Sequence, residues 1–248
     1  MSELFSIQLQ NRQQQGRDGV WLDLPTTTEQ VQAALRQIGI SSDNPQGLFI
    51  SGYFAEEEKR FAISYNMVLA SNVDELNFLA SRLETLSTGE RAELNAALQA
   101  PQSELFSIGR ITDFPENVDY YVHLLDVRGP AQLGDYYLNR SGMVDMPEEW
   151  KGGIDTAQFG RYVAQQEQGA FTQYGYLVKS GDEWQKVYEG QPVPEEYRVL
   201  SFPASEILRD AANIPPPVQS TTEQQKVIPI ILNGKDSAER MKEITDRL

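Results

Sequence analysis

The sequence predicts an α+β protein of about three small α/β domains, the middle one acidic and largely helical. A chain of 248 residues has room for two or three small domains, and 40% hydrophobic residues are enough for genuine cores. Short segments near the N-terminus alternate apolar and polar residues, as half-buried strands do, whereas the middle repeats apolar residues at helical spacing. We expect domains at residues 1–70, 71–150 and 151–213, followed by a proline-rich linker and a strand–helix tail at 214–248.

The first predicted domain contains one helix among four strands. Thr26 and Glu29 have the spacing of a capping box that opens the helix, and Gly39 supplies its stop. The residues of the helix that should face the core are Val31, Ala34, Leu35 and Ile38. Strands are predicted at residues 4–10, 19–24, 47–54 and 61–65.

The predicted middle domain begins with two capped helices. Asn72 with Glu75, and Ser87 with Glu90, have the spacing at which a helix N-cap accepts a hydrogen bond from the third helical residue. The leucines of both helices recur on one face, which should be buried. The first helix is expected to leave three acidic residues outside: Asp74, Glu75 and Glu84.

The second half of the chain alternates shorter strands and helices. A strand is predicted at residues 119–127, where period-two alternation would place Tyr120 and Tyr121 on opposite faces. A helix should begin near Asp155. The other predicted elements are a helix at 131–138, an aromatic-rich strand at 169–179 with 183–188 as its continuation, and a helix at 205–212.

Negative charge is concentrated in one part of the chain. Residues 43–150 contain 18 acidic and 7 basic residues, a net of −11, out of a total net charge of −15. Such an excess repels nucleic acids and membrane surfaces and attracts basic grooves. On composition alone, a solvated, solubilising surface is the simpler interpretation.

Several classes of function are disfavoured by the residues present. The chain has no cysteine, so disulfides and thiolate metal sites are excluded, and a reducing, cytoplasmic setting is expected. No apolar stretch approaches the roughly 20 residues of a membrane span, and the N-terminus lacks a leader pattern. The single histidine, His123, lies among apolar neighbours, so we expect a structural role for it. No phosphate-binding glycine motif occurs, and we expect no cofactor or metal.

Five segments, in order, resemble the ArdA antirestriction family over roughly residues 4–178. The most specific pieces are WLDLP (21–25), AQFGR (157–161) and FTQYGY (171–176). The full segments are WLDLPTTTEQVQAALRQIGI (21–40), NVDELNFLASRLETLSTGERAELNAAL (72–98), DYYVHLLDV (119–127), LGDYYL (133–138) and IDTAQFGRYVAQQEQGAFTQYGYLV (154–178).

The resemblance implies an elongated, three-domain α/β homodimer, encoded by a mobile genetic element, that is not an enzyme. Family members inhibit Type I restriction–modification enzymes because their surface carboxylates imitate the phosphates of bent B-form DNA. The expected partner is therefore the DNA-binding groove of such an enzyme. The acidic residues expected to form this phosphate-mimic array are Asp74, Glu75, Glu84, Glu90, Glu93, Asp113, Glu116, Asp119, Asp126, Asp135, Glu148 and Glu149.

Two other classes of function remain open from the residues alone. The first is an acidic interaction module that binds another basic DNA-binding protein, such as a nucleoid protein or a repressor. The second is a carboxylate-based hydrolase, which would need a concave pocket holding a pair of acids with shifted pKa values. About seventy C-terminal residues lie outside the resemblance, so they leave room for a second task.

Overall fold

The computed structural model describes residues 3–14, 18–41, 45–57 and 60–200. The strands within them are β1 (Phe5–Asn11), β2 (Val20–Leu24), β3 (Leu48–Phe54), β4 (Tyr121–Leu124), β5 (Ala170–Thr172) and β6 (Gly175–Lys179). The helices are α1 (Thr28–Gln37), α2 (Tyr65–Leu69), α3 (Val73–Glu84), α4 (Thr88–Gln99), α5 (Ile108–Thr112), α6 (Pro130–Asp135), α7 (Glu148–Lys151) and α8 (Thr156–Glu167). The strands form two antiparallel sheets, β2-β1-β3 and β4-β6-β5, so the predicted α+β class is confirmed.

One large apolar core connects the N-terminal sheet with the helices of the middle segment. Its buried side chains run from Leu4 to Leu200, and a second, smaller cluster surrounds Leu133 and Tyr176. Leu76, Leu79 and Leu83 of α3 are completely buried in the large core. Burial of each such side chain stabilises the fold by roughly 1.5–3 kcal/mol. The predicted boundaries between domains remain predictions, and the helix at 205–212 and the tail at 214–248 lie outside the described residues.

The N-terminal sheet buries one face, and α1 begins one residue later than predicted. Thr27, rather than Thr26, is the N-cap, and its capping-box partner is Gln30, rather than Glu29. The reason is a long-range contact, because the backbone N–H of Thr26 donates to Oδ1 of Asn77 at 2.7 Å. That bond occupies Thr26, which is buried, and moves the helix start by one position.

The strand predicted at residues 61–65 is wrong. Phe61 and Ile63 are buried as its alternation suggested, but α2 starts at Tyr65. The backbone N–H of Ala62 donates to Oδ1 of Asn95, a side chain of α4, at 2.7 Å. The Asn95 side chain thus provides the hydrogen bonding that a neighbouring strand would otherwise supply to this segment.

The two predicted N-caps of the middle segment are confirmed. Asn72 accepts a hydrogen bond from the backbone N–H of Glu75 at the start of α3. Ser87 and Glu90 form a reciprocal capping box at the start of α4. Both helices therefore begin where the short-range pattern predicted, because both partners of each cap lie within one helical turn.

The second sheet is shorter than its sequence pattern suggested. Residues Val118–Tyr120 form a 3₁₀ turn, so β4 contains only Tyr121–Leu124. Tyr120 and Tyr121 are consequently both buried, with their rings edge to face at 4.9 Å, rather than on opposite faces of a strand. The strand predicted at 169–179 is a hairpin of β5 and β6, and Gly175 has the positive φ of +133° that its turn requires. No strand forms at 183–188.

Two glycines allow α6 and α8 to approach closely. The helix predicted at 131–138 is α6, which continues as a π-helical turn over Tyr136–Arg140. A Cβ atom at Gly160 would lie 1.8 Å from the carbonyl oxygen of Pro130, and one at Gly134 would lie 1.9 Å from that of Thr156. The glycine of the AQFGR segment is therefore required by helix packing. Asp155 caps α8 as predicted, accepting from the N–H groups of Ala157 and Gln158.

After β6 the chain runs back over the helices as an irregular segment, residues 180–200, which we term the C-terminal strap. Its only helical turn is a 3₁₀ turn at Glu195–Tyr197. Asn117 holds the strap at Gln185, and Asn77 holds it at Tyr197, through hydrogen bonds to main-chain groups. Among the described residues, no helix has the length and apolarity needed to cross a membrane.

Candidate acidic binding surface

Two of the twelve predicted surface acids are buried anchors of the strap. Asp74 is 4% exposed, and its Oδ1 accepts from the backbone N–H groups of Val199 and Leu200 at 2.7 and 2.9 Å. Asp113 is completely buried and accepts from the backbone N–H groups of Tyr188 and Glu189 at 2.6 and 3.1 Å. The expectation that Asp74 faces outward is wrong, because the strap covers this side of α3.

Three acidic residues lie close together near the start of α4. Glu90 accepts a hydrogen bond from the backbone N–H of Ser87 at 2.7 Å as part of the capping box, and hydrogen bonding by Ser87 lowers the pKa of Glu90. Glu93 lies one turn further on, and Asp119 is exposed in the 3₁₀ turn before β4. Both Glu90 and Asp119 are near enough to act electrostatically on Glu93.

The charge of Glu93 is suppressed by its surroundings. Burial, followed by the negative charges of Glu90 and Asp119, raises the pKa of Glu93 to about 8. Its Oε1 is buried and has no hydrogen-bond partner among the described residues. At neutral pH this carboxyl is mostly protonated, so it adds little negative charge to the free surface.

The other predicted acids of the middle helices differ in exposure and pairing. Burial raises the pKa of Glu75, which is half-buried beside Asp74. Glu84 is also half-buried. Glu116 is exposed and forms an ion pair with Arg82. These three residues therefore offer less uncompensated charge than their sequence positions suggested.

Of the four predicted acids after β4, three are exposed and Asp135 is half-buried. Asp126 and Glu149 are exposed and, like Asp119, have no ion-pair partner among residues 3–14, 18–41, 45–57 and 60–200. Asp135 pairs with Arg140 at 2.9 Å, and hydrogen bonding by Asn139 lowers its pKa. Glu148 pairs with Lys151 at 2.6 Å. Such exposed pairs are weak and exchange readily with an incoming base.

The described residues contain no group of three His, Asp or Glu side chains placed to hold a metal ion. His123 is half-buried, and its Nε2–H donates to the carbonyl oxygen of Tyr174 at 2.9 Å. Burial lowers its pKa, which favours the neutral ring. The ring is therefore half-buried and hydrogen-bonded, as expected of a structural histidine.

One surface cavity contains a carboxylate that a hydrolase could use. Its volume is about 610 Å³, and it lies between the end of α4, the end of α8 and β6. Glu167 is the carboxylate among its lining residues, and the hydroxyl groups of Tyr137 and Tyr176 both donate to it. A carboxylate occupied by two phenols, without a second acid in the cavity, does not provide the acid–base pair that hydrolysis requires.

Sequence reasoning missed the strap and an exposed aromatic pair. The strap contributes acids of its own, and Asp182, Glu183, Glu195 and Glu196 are exposed. Trp21 and Phe54 lie together on the outer face of the N-terminal sheet. Alternation along β2 could have indicated that Trp21 faces outward, because Leu22 and Leu24 face the core.

The fold and surface together define an acidic α+β protein. A family model described as antirestriction protein (ArdA) matches residues 15–178, which is more than half of the chain. The chain therefore belongs to the ArdA family of antirestriction proteins, as its sequence segments suggested. No curated protein matches it.

Proposed function

We propose that this protein inhibits Type I restriction–modification enzymes by presenting surface carboxylates to the basic groove that otherwise binds DNA. The observation that carries the proposal is that three of the twelve predicted acids are exposed and have no ion-pair partner among the described residues: Asp119, Asp126 and Glu149. Family membership supports the antirestriction role. The proposed site of action is the cytoplasm, and the proposed active form is a homodimer.

The physical basis is the release of counterions. Duplex DNA carries about one charge per 1.7 Å of axis and holds a condensed layer of cations, which basic proteins displace on binding. An acidic protein that fills the same groove gains from the same displacement of ions, although each individual contact is weak. Inhibition should therefore be distributed over many carboxylates and should weaken as salt increases.

The proposed array is narrower than the sequence alone suggested. Asp74 and Asp113 are excluded, because their oxygens bind the strap. Five of the remaining acids are half-buried: Glu75, Glu84, Glu90, Glu93 and Asp135. Hydrogen bonds lower the pKa of Glu90 and of Asp135, so we keep these two and place Glu75, Glu84 and Glu93 at the margin. The members we propose are Glu90, Glu116, Asp119, Asp126, Asp135, Glu148 and Glu149.

Glu93 should make the affinity for the partner depend on pH. Burial and the neighbouring carboxylates raise the pKa of Glu93 to about 8. The positive charge of an approaching cationic groove stabilises the deprotonated carboxylate and so offsets both effects. We expect Glu93 to release its proton on binding, so that affinity rises with pH between about 7 and 8. Glu93→Gln should remove this part of the pH dependence.

The direct test is cleavage of unmodified plasmid by a Type I restriction enzyme while the protein is titrated in, at low and moderate salt. A Type II enzyme that cuts the same plasmid serves as the control. Near-stoichiometric inhibition of the Type I enzyme alone, weaker at higher salt, is the expected result. Absence of inhibition at large excess against more than one Type I family would contradict the proposal. Another basic DNA-binding protein would then become the preferred partner.

A further inference from the structure

Two large aromatic side chains lie exposed on the outer face of the N-terminal sheet. Trp21 is 50% exposed and Phe54 is 57% exposed. Their rings meet edge to face, with centroids 6.5 Å apart. Single exposed aromatic residues are common, but a packed pair presents a contiguous apolar surface of the kind that partners use as an anchor.

The fold fixes the orientation of this pair. Trp21 on β2 and Gly52 on β3 are both paired with Gln8 on the central strand β1. A Cβ atom at Gly52 would lie only 3.0 Å from Cη2 of Trp21. The indole therefore extends across β1 into the space left by the glycine, and comes to rest beside Phe54.

Carboxylates border the aromatic pair. Asp23 is two residues beyond Trp21 on the same face of β2, and its Oδ1 accepts from the Ser6 hydroxyl at 2.6 Å. Glu56 and Glu57, both exposed, lie two and three residues after Phe54 in the sequence. This combination of exposed rings and negative charge is complementary to a cationic side chain and repels a nucleic acid.

A small cavity adjoins Trp21 and Asp23. It lies between β2 and α1, has a volume of about 220 Å³, and includes the polar side chains of Gln30 and Gln37 in its lining. Small-molecule sites usually measure roughly 300–1,000 Å³. The cavity therefore suits one side chain of a macromolecular partner better than a free metabolite.

We propose that the Trp21–Phe54 face is a docking site for an arginine-bearing surface of a basic protein. A guanidinium group can stack on the indole and donate in its own plane to the Asp23 carboxylate, a geometry that a lysine ammonium group does not match. A purely apolar partner would bury the bordering carboxylates without compensation. The inference rests on the proposed function in one respect, because we take the basic protein to be the Type I restriction enzyme.

The local test follows the indole N–H signals of the three tryptophans by NMR while a tetra-arginine peptide is added. Tryptophan-to-phenylalanine variants assign the signals. The Trp21 signal should shift and saturate, more strongly than with tetra-lysine at equal concentration, and Asp23→Asn should reduce the shift. A Trp21 signal that does not respond at concentrations at which Trp150 responds would overturn the inference.

The functional test compares Trp21→Ala and Trp21→Phe with Tyr162→Ala, a 60% exposed aromatic control on α8. Trp21→Ala should weaken inhibition of the Type I enzyme about 2- to 30-fold, the range expected for a cation–π contact. Its salt dependence should be unchanged because no charge is removed. If the wild type and Trp21→Ala inhibit the enzyme equally well, the docking site is refuted and the proposed function stays intact. Failure of the wild type to inhibit, with the Trp21 response to tetra-arginine retained, would refute the proposed function alone.

Discussion

Asp113 and Asp119 are six residues apart in an acid-rich part of the chain, yet their environments are opposite. Asp113 is completely buried and binds the backbone N–H groups of Tyr188 and Glu189. Asp119 is exposed and has no ion-pair partner among the described residues. The difference between these two acids lies in their neighbours. An acid beside backbone N–H groups that have no other acceptor becomes a buried anchor, and an acid without such neighbours stays at the surface. Both acids count equally in the net charge of the chain, but only Asp119 adds negative charge to the protein surface.

The largest effect should follow removal of a buried anchor. Asp113→Ala leaves two backbone N–H groups without acceptors, and Asp74→Ala does the same at the other end of the strap. We expect each to lower the free energy of unfolding by roughly 2–4 kcal/mol. Urea denaturation measures the change. Inhibition per folded molecule should stay at the wild-type level, and a loss of inhibition without a loss of stability would reverse the assignment of these residues.

Glu93 should have a smaller effect on stability that depends on pH. Its pKa is raised in the folded protein to about 8 from an ordinary value of 4.5. The unfolded chain therefore loses the proton first, and stability falls as pH rises from about 4.5 to 8. Glu93→Gln should flatten this decline and stabilise the protein by roughly 1–2 kcal/mol at pH 7.5, after a discount for solvent screening of a partly exposed group. Thermal unfolding at pH 5 and pH 7.5 provides the comparison, and equal shifts at both values would contradict it.

Exposed acids of the array should affect binding and leave stability unchanged. Asp119→Asn with Asp126→Asn removes two charges, and Glu29→Gln with Glu183→Gln removes two exposed charges outside the array. Each array contact is worth about 0.2–1 kcal/mol, so the first pair should weaken inhibition by a few-fold and flatten its dependence on salt. The second pair serves as the control for net charge. Similar losses from both pairs would indicate a nonspecific effect of charge.

The smallest expected effect concerns an acid that is already paired. Arg82→Ala frees the exposed carboxylate of Glu116 from its ion pair. Stability should change by only about 0–1 kcal/mol, because exposed pairs contribute little. Inhibition should become slightly stronger, as measured by the concentration that halves plasmid cleavage. A weaker inhibitor would indicate that Arg82 positions Glu116 for the partner.

Features set by neighbours along the chain could be predicted from the sequence, whereas features set by distant partners could not. The caps at Asn72 and Ser87 were predicted because cap and partner are three residues apart. The burial of Asp74 was missed because its partner Val199 is 125 residues away. The strand predicted at 61–65 failed for the same reason, since Asn95 of α4 occupies the Ala62 N–H.

The candidate surface shows the same limit. Alternation and charge counting located the acidic region, but they could not separate Asp119 from Asp113, because both are acids in a turn-rich segment. The exposed pair of Trp21 and Phe54 depends on the pairing of three strands around Gln8. Pairing of that kind is a property of the sheet rather than of any one segment.

Because of the strap, the acids at positions 74 and 113 and the segment after residue 178 should change together in evolution. The family match ends at residue 178, while Asp74 and Asp113, within the match, bind main-chain groups of residues 188–200. A chain that ended at 178 would leave both carboxylates without these donors, so loss of the strap and replacement of the two acids should occur together. Relatives that stop near that boundary should carry uncharged residues at both positions, and relatives that continue past it should retain the pair.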